Sequence, residues 1–251
     1  MTAPTFDLTG RVAIVTGGSK GLGRAMALGF AERGADVVIA SRKLEGCERV
    51  ADEVRAHGRR ALAIACHVAD WGQCEGLIEA TMAEFGRLDV LVNNAGIAPA
   101  PPSLLGVTEE LFDKTIDVDL KGPLRLTALA AEQMTSGGSI INISSKASTH
   151  PTPNTVVYAA AKAGLNALTK AAAQELGPRG IRVNCIVCGM FHTDSFHAGA
   201  PTEEIRAAMA RGVTLGRIAD PEEIVGTAVW LATDASSYVT GQCITLDGGG
   251  V

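Results

Sequence analysis

The sequence has few aromatic residues and no excess of positive charge, and both shortages restrict what the chain does. Phe, Trp and Tyr make up 4% of its 251 residues, although 47% are hydrophobic. The core must therefore consist mainly of Ala, Val, Ile and Leu, with 29 glycines permitting tight turns and close backbone contacts. Because the formal net charge is -5, the chain offers no basic surface for nucleic acid, and we expect no such partner.

Three further features are missing: a secretory signal, a membrane span and a complete zinc motif. The N-terminus has no charged start followed by an apolar run, and no apolar stretch is long enough to cross a bilayer. Cys185 and Cys188 have the spacing of a zinc-binding pair, but no second Cys or His pair accompanies them. We expect a cytoplasmic protein with no membrane association and no metal, since six scattered thiols fit a reducing compartment.

Short β-branched runs alternate with longer helical stretches along the chain. The runs are nearly continuous in apolar residues, which is typical of strands buried on both faces of a parallel sheet. The pattern predicts an α/β fold: one domain over residues 1–251, a doubly wound parallel sheet (Rossmann fold) with helices on both faces. Strands are predicted at 11–16, 36–41, 61–66, 88–93, 138–144, 181–187 and 242–246, and helices near 22–33, 44–57, 71–86, 108–133, 155–176 and 221–232.

A glycine-rich segment joins the first predicted strand to the first predicted helix. It reads Thr16-Gly17-Gly18-Ser19-Lys20-Gly21-Leu22-Gly23. Glycines allow a tight turn and a close approach to a pyrophosphate, and the helix N-terminus offers N–H groups to the phosphates. A purely structural turn is the alternative, but the position in a βαβ unit favours nucleotide binding.

The end of the second predicted strand indicates which nucleotide binds. An NAD enzyme places a carboxylate there for the ribose 2′-hydroxyl, whereas this chain has Ser41 and Arg42, followed by Lys43. Arg42 can bind phosphate oxygens, and Lys20 adds a second positive charge on the same side. The charges favour NADP(H) over NAD(H). The alternative is that these cations only keep a surface loop hydrated and bind no phosphate.

The alternation stops between Gly189 and about Arg217. This segment follows a strand end, where open α/β sheets bind ligands, so we predict a substrate lid at 189–217, with a surface insertion as the alternative. Its apolar side chains are Met190, Phe191, Phe196 and Met209, and its polar ones include His192, Asp194 and His197. A metal site on these last three is disfavoured, because they lack the helical spacing of a ligand pair.

Several motifs together resemble the short-chain dehydrogenase/reductase family, and the resemblance covers essentially the whole chain of this ordinary ~250-residue branch. Besides the glycine loop, they are Asn93-Asn94-Ala95-Gly96, Ser145, Tyr158-x-x-x-Lys162 and Tyr238-Val-Thr-Gly241 with Asp247-Gly-Gly. The chain looks most similar to 3-oxoacyl thioester reductases and to sugar or polyol dehydrogenases.

The resemblance implies hydride transfer between a nicotinamide cofactor and a ketone or secondary alcohol. Tyr158 would be the general acid in carbonyl reduction, Ser145 would bind the substrate oxygen, and Lys162 would hold the nicotinamide ribose. Tyr158 and Lys162 are four residues apart on one helix face, so we expect the ammonium to lower the phenol pKa. Asp119 matches the family's fourth catalytic residue.

The implied cofactor site draws on most of the motifs. It comprises Gly17, Ser19, Lys20, Gly21, Leu22, Gly23, Ser41, Arg42, His67, Val68, Asn94, Ala95, Gly96, Tyr158, Lys162, Gly189, Phe191 and Thr193. A small-molecule carbonyl or alcohol would be the substrate. Family likeness also predicts a homotetramer, and a non-catalytic nucleotide-binding scaffold is the alternative of another class.

The sequence departs from the family pattern at three positions. Asp119 replaces the usual asparagine, which places a possible charge beside the proton relay. His67 replaces an acidic residue that faces the adenine amine, and a neutral imidazole could accept from that amine or stack on it. Cys188 replaces the usual proline before Gly189, which removes a rigid turn at the base of the predicted lid.

Overall fold

A seven-stranded parallel sheet organises the chain, with strand order 3-2-1-4-5-6-7. The computed structural model describes residues 6–250, and residues 1–5 and 251 of the predicted domain lie outside the described residues. The strands are β1 (Val12–Thr16), β2 (Asp36–Ser41), β3 (Ala61–Ala65), β4 (Val90–Asn93), β5 (Gly138–Ser145), β6 (Ile181–Cys188) and β7 (Cys243–Leu246). The predicted doubly wound sheet is confirmed, with strand ends within two residues of the prediction.

Helices cover both faces of this sheet. They are α1 (Gly21–Glu32), α2 (Leu44–Ala56), α3 (Trp71–Phe85), α4 (Glu109–Ile116), α5 (Gly122–Gln133), α6 (Val156–Leu176), α7 (Asp194–Gly199), α8 (Glu203–Ala210) and α9 (Val225–Ala232). The helix predicted at 108–133 is helical without a break over 109–133, but a π-helical turn, Asp117–Lys121, lies within it and divides it into α4 and α5. Among residues 6–250, no helix combines the length and hydropathy that crossing a membrane requires.

The sheet separates two apolar cores. Phe30 and Met26 of α1 pack on one face, and Leu77 of α3 and Leu126 of α5 pack on the other; all four are fully buried. Burial on both faces explains why the central strands are continuous apolar runs. The rigid sheet holds the strand ends, which bear the polar motifs, in fixed positions.

Local signals in the sequence set the helix ends. The Asp70 side chain caps α3 by accepting a hydrogen bond from the Gln73 backbone N–H at 3.1 Å, and Gly86 ends that helix with a positive φ of 71°. Thr152 and Thr155 form a reciprocal capping box just ahead of α6. This box fixes where α6 begins, and therefore where Tyr158 lies.

Candidate active site

A cleft of about 910 Å³ opens at the carboxyl ends of the strands. The end of β2 and the segments after β1, β3 and β4 line it, and residues 193–195 of the predicted lid close one side. The predicted cofactor residues among its lining are Gly17, Ser19, Lys20, Gly21, Leu22, Gly23, Ser41, Arg42, His67, Val68, Asn94, Ala95, Gly96 and Thr193. The cleft thus lies where open α/β sheets bind nucleotides.

The glycine loop is packed tightly against the end of β4. The Asn94 Nδ2 donates to the Thr16 carbonyl at 2.8 Å, and a Cβ on Gly17 would lie 2.8 Å from the same Nδ2. Gly17 also has a φ of 63°, which favours glycine. A Cβ on Gly23 would lie 2.3 Å from the Gly17 carbonyl oxygen, so a side chain at either glycine would displace the loop. The motif residues therefore fix the loop's shape as well as its surface.

Ser41 and Arg42 lie together at the nucleotide end of the cleft. The Ser41 hydroxyl donates to the Ser19 hydroxyl at 3.0 Å, which joins the end of β2 to the glycine loop, and Arg42 is exposed. The Lys20 ammonium, however, lies 2.5 Å from Asp194 of α7, and this pairing lowers the pKa of Asp194. The charge predicted to supplement Arg42 is thus paired with a carboxylate of the predicted lid.

The surroundings of His67 favour one of the two contacts predicted for it. Its Nδ1 accepts a hydrogen bond from the Ala69 backbone N–H at 3.2 Å, which places the proton of the neutral imidazole on Nε2. In this tautomer Nε2 is a donor, so the ring does not accept from an adenine amine. Stacking remains its available contact with a base.

The predicted catalytic residues lie together beside β5. Ser145 is the last residue of β5, and Tyr158 lies in the first turn of α6, close enough for the Ser145 side chain to lower the pKa of the phenol. The Lys162 Nζ is 5.7 Å from the centroid of the Tyr158 ring. The three groups can therefore act on a single substrate oxygen.

Asp119 forms a buried ion pair with Lys162. Its Oδ1 is 3.1 Å from the Lys162 Nζ, and the two side chains are 0% and 5% exposed. The ammonium also donates to the Ile143 carbonyl at 3.0 Å, while the carboxylate accepts from the Ile97 backbone N–H at 3.3 Å. Asp119 lies in the π-helical turn, next to the Lys162 ammonium. Aspartate in place of the family's usual asparagine therefore adds a charge in direct contact with the lysine.

Burial and the Lys162 ammonium act on the pKa of Tyr158 in opposite directions. Burial raises the phenol pKa above its usual value, Lys162 and the Ser145 side chain oppose that shift, and Asp119 adds to it. Burial also raises the pKa of Asp119. For Lys162, burial favours the neutral amine, but Asp119 and Tyr158 outweigh it and the pKa lies above its usual value. The Lys162 ammonium thus lowers the phenol pKa as expected, but the larger effect of burial, which the sequence prediction did not include, raises it overall.

Gly96 connects the catalytic residues to the nucleotide cleft. A Cβ there would lie 2.7 Å from the Asp119 Oδ1 and 3.4 Å from the Lys162 Nζ, so the absence of a side chain lets the cleft reach the ion pair. A Cβ on Gly189 would likewise lie 2.6 Å from the Asp247 Cα, so a side chain there would also clash. Phe191 is only 4% exposed and packs into the α1-side core, so it does not supply the predicted apolar lid surface.

Sequence reasoning missed a cation next to Ser145. The Lys146 Nζ lies 2.8 Å from the Asp247 Oδ2 and donates to the Gly250 carbonyl at 2.5 Å. The Thr214 hydroxyl donates to the Gly249 carbonyl at 2.7 Å, so the same C-terminal segment also contacts the end of the predicted lid. Lys146 was visible in the sequence, but its partner lies 101 residues away.

These features define an α/β oxidoreductase: a nucleotide cleft beside a serine, a tyrosine and a lysine that can exchange a proton with a substrate oxygen. A family model described as Enoyl-(Acyl carrier protein) reductase matches residues 17–250. An uncharacterized oxidoreductase of Methylorubrum extorquens is 41% identical over 96% of this chain and 98% of its own. The 3-oxoacyl-[acyl-carrier-protein] reductase FabG of Staphylococcus aureus is 39% identical over 94% of this chain and 96% of its own.

A solved structure gives the same result. The short-chain type dehydrogenase/reductase from Mycobacterium marinum superposes with a TM-score of 0.92 at 37% identity, covering 97% of this chain and 96% of that one. The chain belongs to the short-chain dehydrogenase/reductase family, whose members use NAD(H) or NADP(H).

Proposed function

We propose that this enzyme transfers a hydride between NADP(H) and a ketone or secondary alcohol. The observation that supports this most directly is the position of the Ser145, Tyr158 and Lys162 group: it adjoins, through Gly96, a cleft whose β2 end presents Ser41 and Arg42.

The residues of the cleft fit this cofactor. The glycine loop leaves no room for side chains at Gly17 and Gly23 and brings backbone N–H groups of α1 to the cleft, as a pyrophosphate requires. Ser41 and Arg42 offer a hydroxyl and a guanidinium to a 2′-phosphate at the place where a carboxylate would repel one. When bound, NADP(H) supplies or accepts the hydride at the carbon of the substrate carbonyl.

The chain's own residues handle the proton and the developing charge. In reduction, Tyr158 donates its phenolic proton to the carbonyl oxygen as that oxygen becomes negative, and Ser145 donates a hydrogen bond to the same oxygen. Lys162 stabilises the resulting phenolate electrostatically. Asp119 and the Ile143 carbonyl hold the ammonium in place. In oxidation, Tyr158 takes the proton back.

For the substrate we propose a 3-oxoacyl thioester, because the similar FabG reductase acts on that class. A sugar or polyol is the second candidate. Loss of NADPH absorbance with a panel of 3-oxoacyl thioesters and simple ketones, compared with NADP⁺ reduction by sugars and polyols, tests the assignment. Turnover on thioesters that Tyr158→Phe abolishes supports it. Turnover only on polyols refutes the substrate, and turnover on no member of either panel counts against the function.

We further propose a cytoplasmic homotetramer. Ala160 and Ala171 are exposed on α6 about three helical turns apart, so they present small side chains on one helix face that let a helix of another subunit approach closely. Light scattering at micromolar concentration measures the assembly, and a monomer would exclude it.

A further inference from the structure

Two cysteines face each other at the sheet edge formed by β7. Cys185 of β6 and Cys243 of β7 are register partners in neighbouring parallel strands, so their side chains leave the sheet on the same side. Each thiol is the largest influence on the pKa of the other, as expected of side chains on the same side of neighbouring strands. Cα atoms of paired neighbouring strands are about 5 Å apart, which falls within the range that a disulfide spans.

The two thiols differ in their access to solvent. All six cysteines lie in the described part of the chain, and Cys243 is the one among them that is not fully buried. Cys185 is fully buried beneath α6. A reagent would therefore meet Cys243 first and would reach Cys185 only through it.

Hydrogen bonds connect Cys185 to the catalytic serine. The Cys185 thiol donates to the Asn166 Oδ1 at 3.4 Å, and the Asn166 Nδ2 donates to the Ser148 hydroxyl at 2.9 Å. The Ser148 hydroxyl in turn donates to the Ser145 carbonyl at 2.6 Å. The turn that follows Ser145 is thus supported by a chain of three hydrogen bonds that begins at the thiol pair.

Electrostatics favours the exposed thiol as the nucleophile. The neighbouring Cys185 thiol lowers the pKa of Cys243 to about 7, against burial and with help from Lys170. The same contact, together with burial, raises the pKa of Cys185. The Cys185 S–H is donated to Asn166 while Cys243 is protonated, so the effect of the disulfide on Asn166 is measured below the pKa of Cys243.

We propose that Cys185 and Cys243 form a reversible disulfide under hydroperoxide, and that its formation loosens the turn holding Ser145. The Cys243 thiolate attacks the peroxide O–O bond, which gives a sulfenic acid and releases hydroxide or alkoxide. The Cys185 thiol then displaces the sulfenic oxygen as water and closes the S–S bond. Two thiols lose two electrons, and the peroxide is reduced by two.

The disulfide removes the donor that Asn166 uses. The Cys185 sulfur loses its proton and moves toward Cys243, so the Asn166 Oδ1 is left without that partner in a site closed to solvent. The amide then reorients, and its hydrogen bond to Ser148 weakens. We expect turnover to fall about three- to tenfold, which is the effect of losing one hydrogen bond. NADPH affinity should stay unchanged, because the nucleotide cleft is not involved.

The experiment treats the assembled enzyme with hydrogen peroxide, removes the peroxide, and divides the sample among three measurements. Peptide mass spectrometry locates the disulfide, hydrogen exchange reports on residues 145–150, and NADPH turnover is followed before and after a dithiol reductant. The first two do not depend on the proposed function; the third rests on it. Absence of turnover in the untreated enzyme would therefore count against that function alone.

Two variants give the matched comparison. Cys243→Ser should abolish the linkage, the faster exchange at 145–150 and the turnover loss. Cys74→Ser removes one thiol of the other pair whose pKa values depend on each other, Cys66 and Cys74, and should leave all three unchanged. A disulfide between Cys66 and Cys74, over-oxidation of Cys243 without a link to Cys185, or a Cys185–Cys243 link with unaltered exchange at 145–150 would each overturn the proposal.

Discussion

Replacing Asp119 with asparagine removes a buried negative charge while keeping the size of the side chain. The carboxylate lies 3.1 Å from the Lys162 Nζ and adds to the rise in the Tyr158 pKa. Asparagine keeps an oxygen for the Ile97 N–H and the Lys162 ammonium, so the local packing should survive. The substitution therefore tests the charge and not the fold.

The size of the effect follows from the distances. The Lys162 Nζ is 5.7 Å from the Tyr158 ring centroid, where a unit charge at an effective dielectric constant of about 20 stabilises phenolate by about 3 kcal/mol. The Asp119 oxygen is at most about 9 Å from that centroid and opposes this by about 2 kcal/mol at the same dielectric. Removing it should lower the phenol pKa by about one unit.

The pH dependence of kcat/KM measures this shift in both directions. Alcohol oxidation needs the phenolate, so the pH at which its kcat/KM rises should be about one unit lower in Asp119→Asn. Carbonyl reduction needs the phenol, so the pH at which its kcat/KM declines should fall by the same amount. Asp117→Asn is the matched control, because Asp117 lies in the same π-helical turn but pairs with the half-exposed Lys121 at 2.9 Å. An unchanged pH profile in Asp119→Asn would mean that the Asp119 carboxyl is already neutral. A shift to higher pH would mean that Lys162 loses its proton when Asp119 is removed. Either result refutes the reasoning.

Three further substitutions separate the roles of other residues. Arg42→Ala should weaken NADPH by about 1–3 kcal/mol in a fluorescence titration and leave NADH nearly unchanged, since only the 2′-phosphate contact is lost; equal losses would make Arg42 structural. Tyr158→Phe should remove most turnover with NADPH binding intact, whereas Lys162→Ala should impair both, and normal NADPH binding in the second variant would remove the lysine's cofactor role. Lys146→Ala should lower kcat several-fold without changing the NADPH Kd, because Asp247 loses its cation beside Ser145; a change in Kd alone would contradict this.

The sequence predicted the sheet well because its signals are local. Continuous apolar runs mark strands buried on both faces, and the glycine loop and Asp70 mark helix starts within a few residues. The π-helical turn was missed because one extra residue in a helix barely alters the apolar pattern over 108–133.

The sequence predicted which residues lie near one another in the site better than it predicted their pKa values and ion pairs. Tyr158 and Lys162 share a helix face by spacing alone, so their proximity was readable. The pKa of Tyr158 depends on burial and on Asp119, which is 39 residues away, and neither is encoded in local spacing. The pairing of Lys20 with Asp194 likewise joins distant segments, so its charge could not be assigned in advance.

The order of the strands along the chain also determines which parts of the site are synthesised first. β1, β2 and β3 are consecutive in the chain and neighbours in the sheet, so the glycine loop and Arg42 can assemble while the later segments are still being translated. Lys146 has to wait for Asp247, 101 residues further on. A chain that stops after β6 would therefore contain the glycine loop and Arg42 but would lack the Asp247 partner that holds Lys146 next to Ser145.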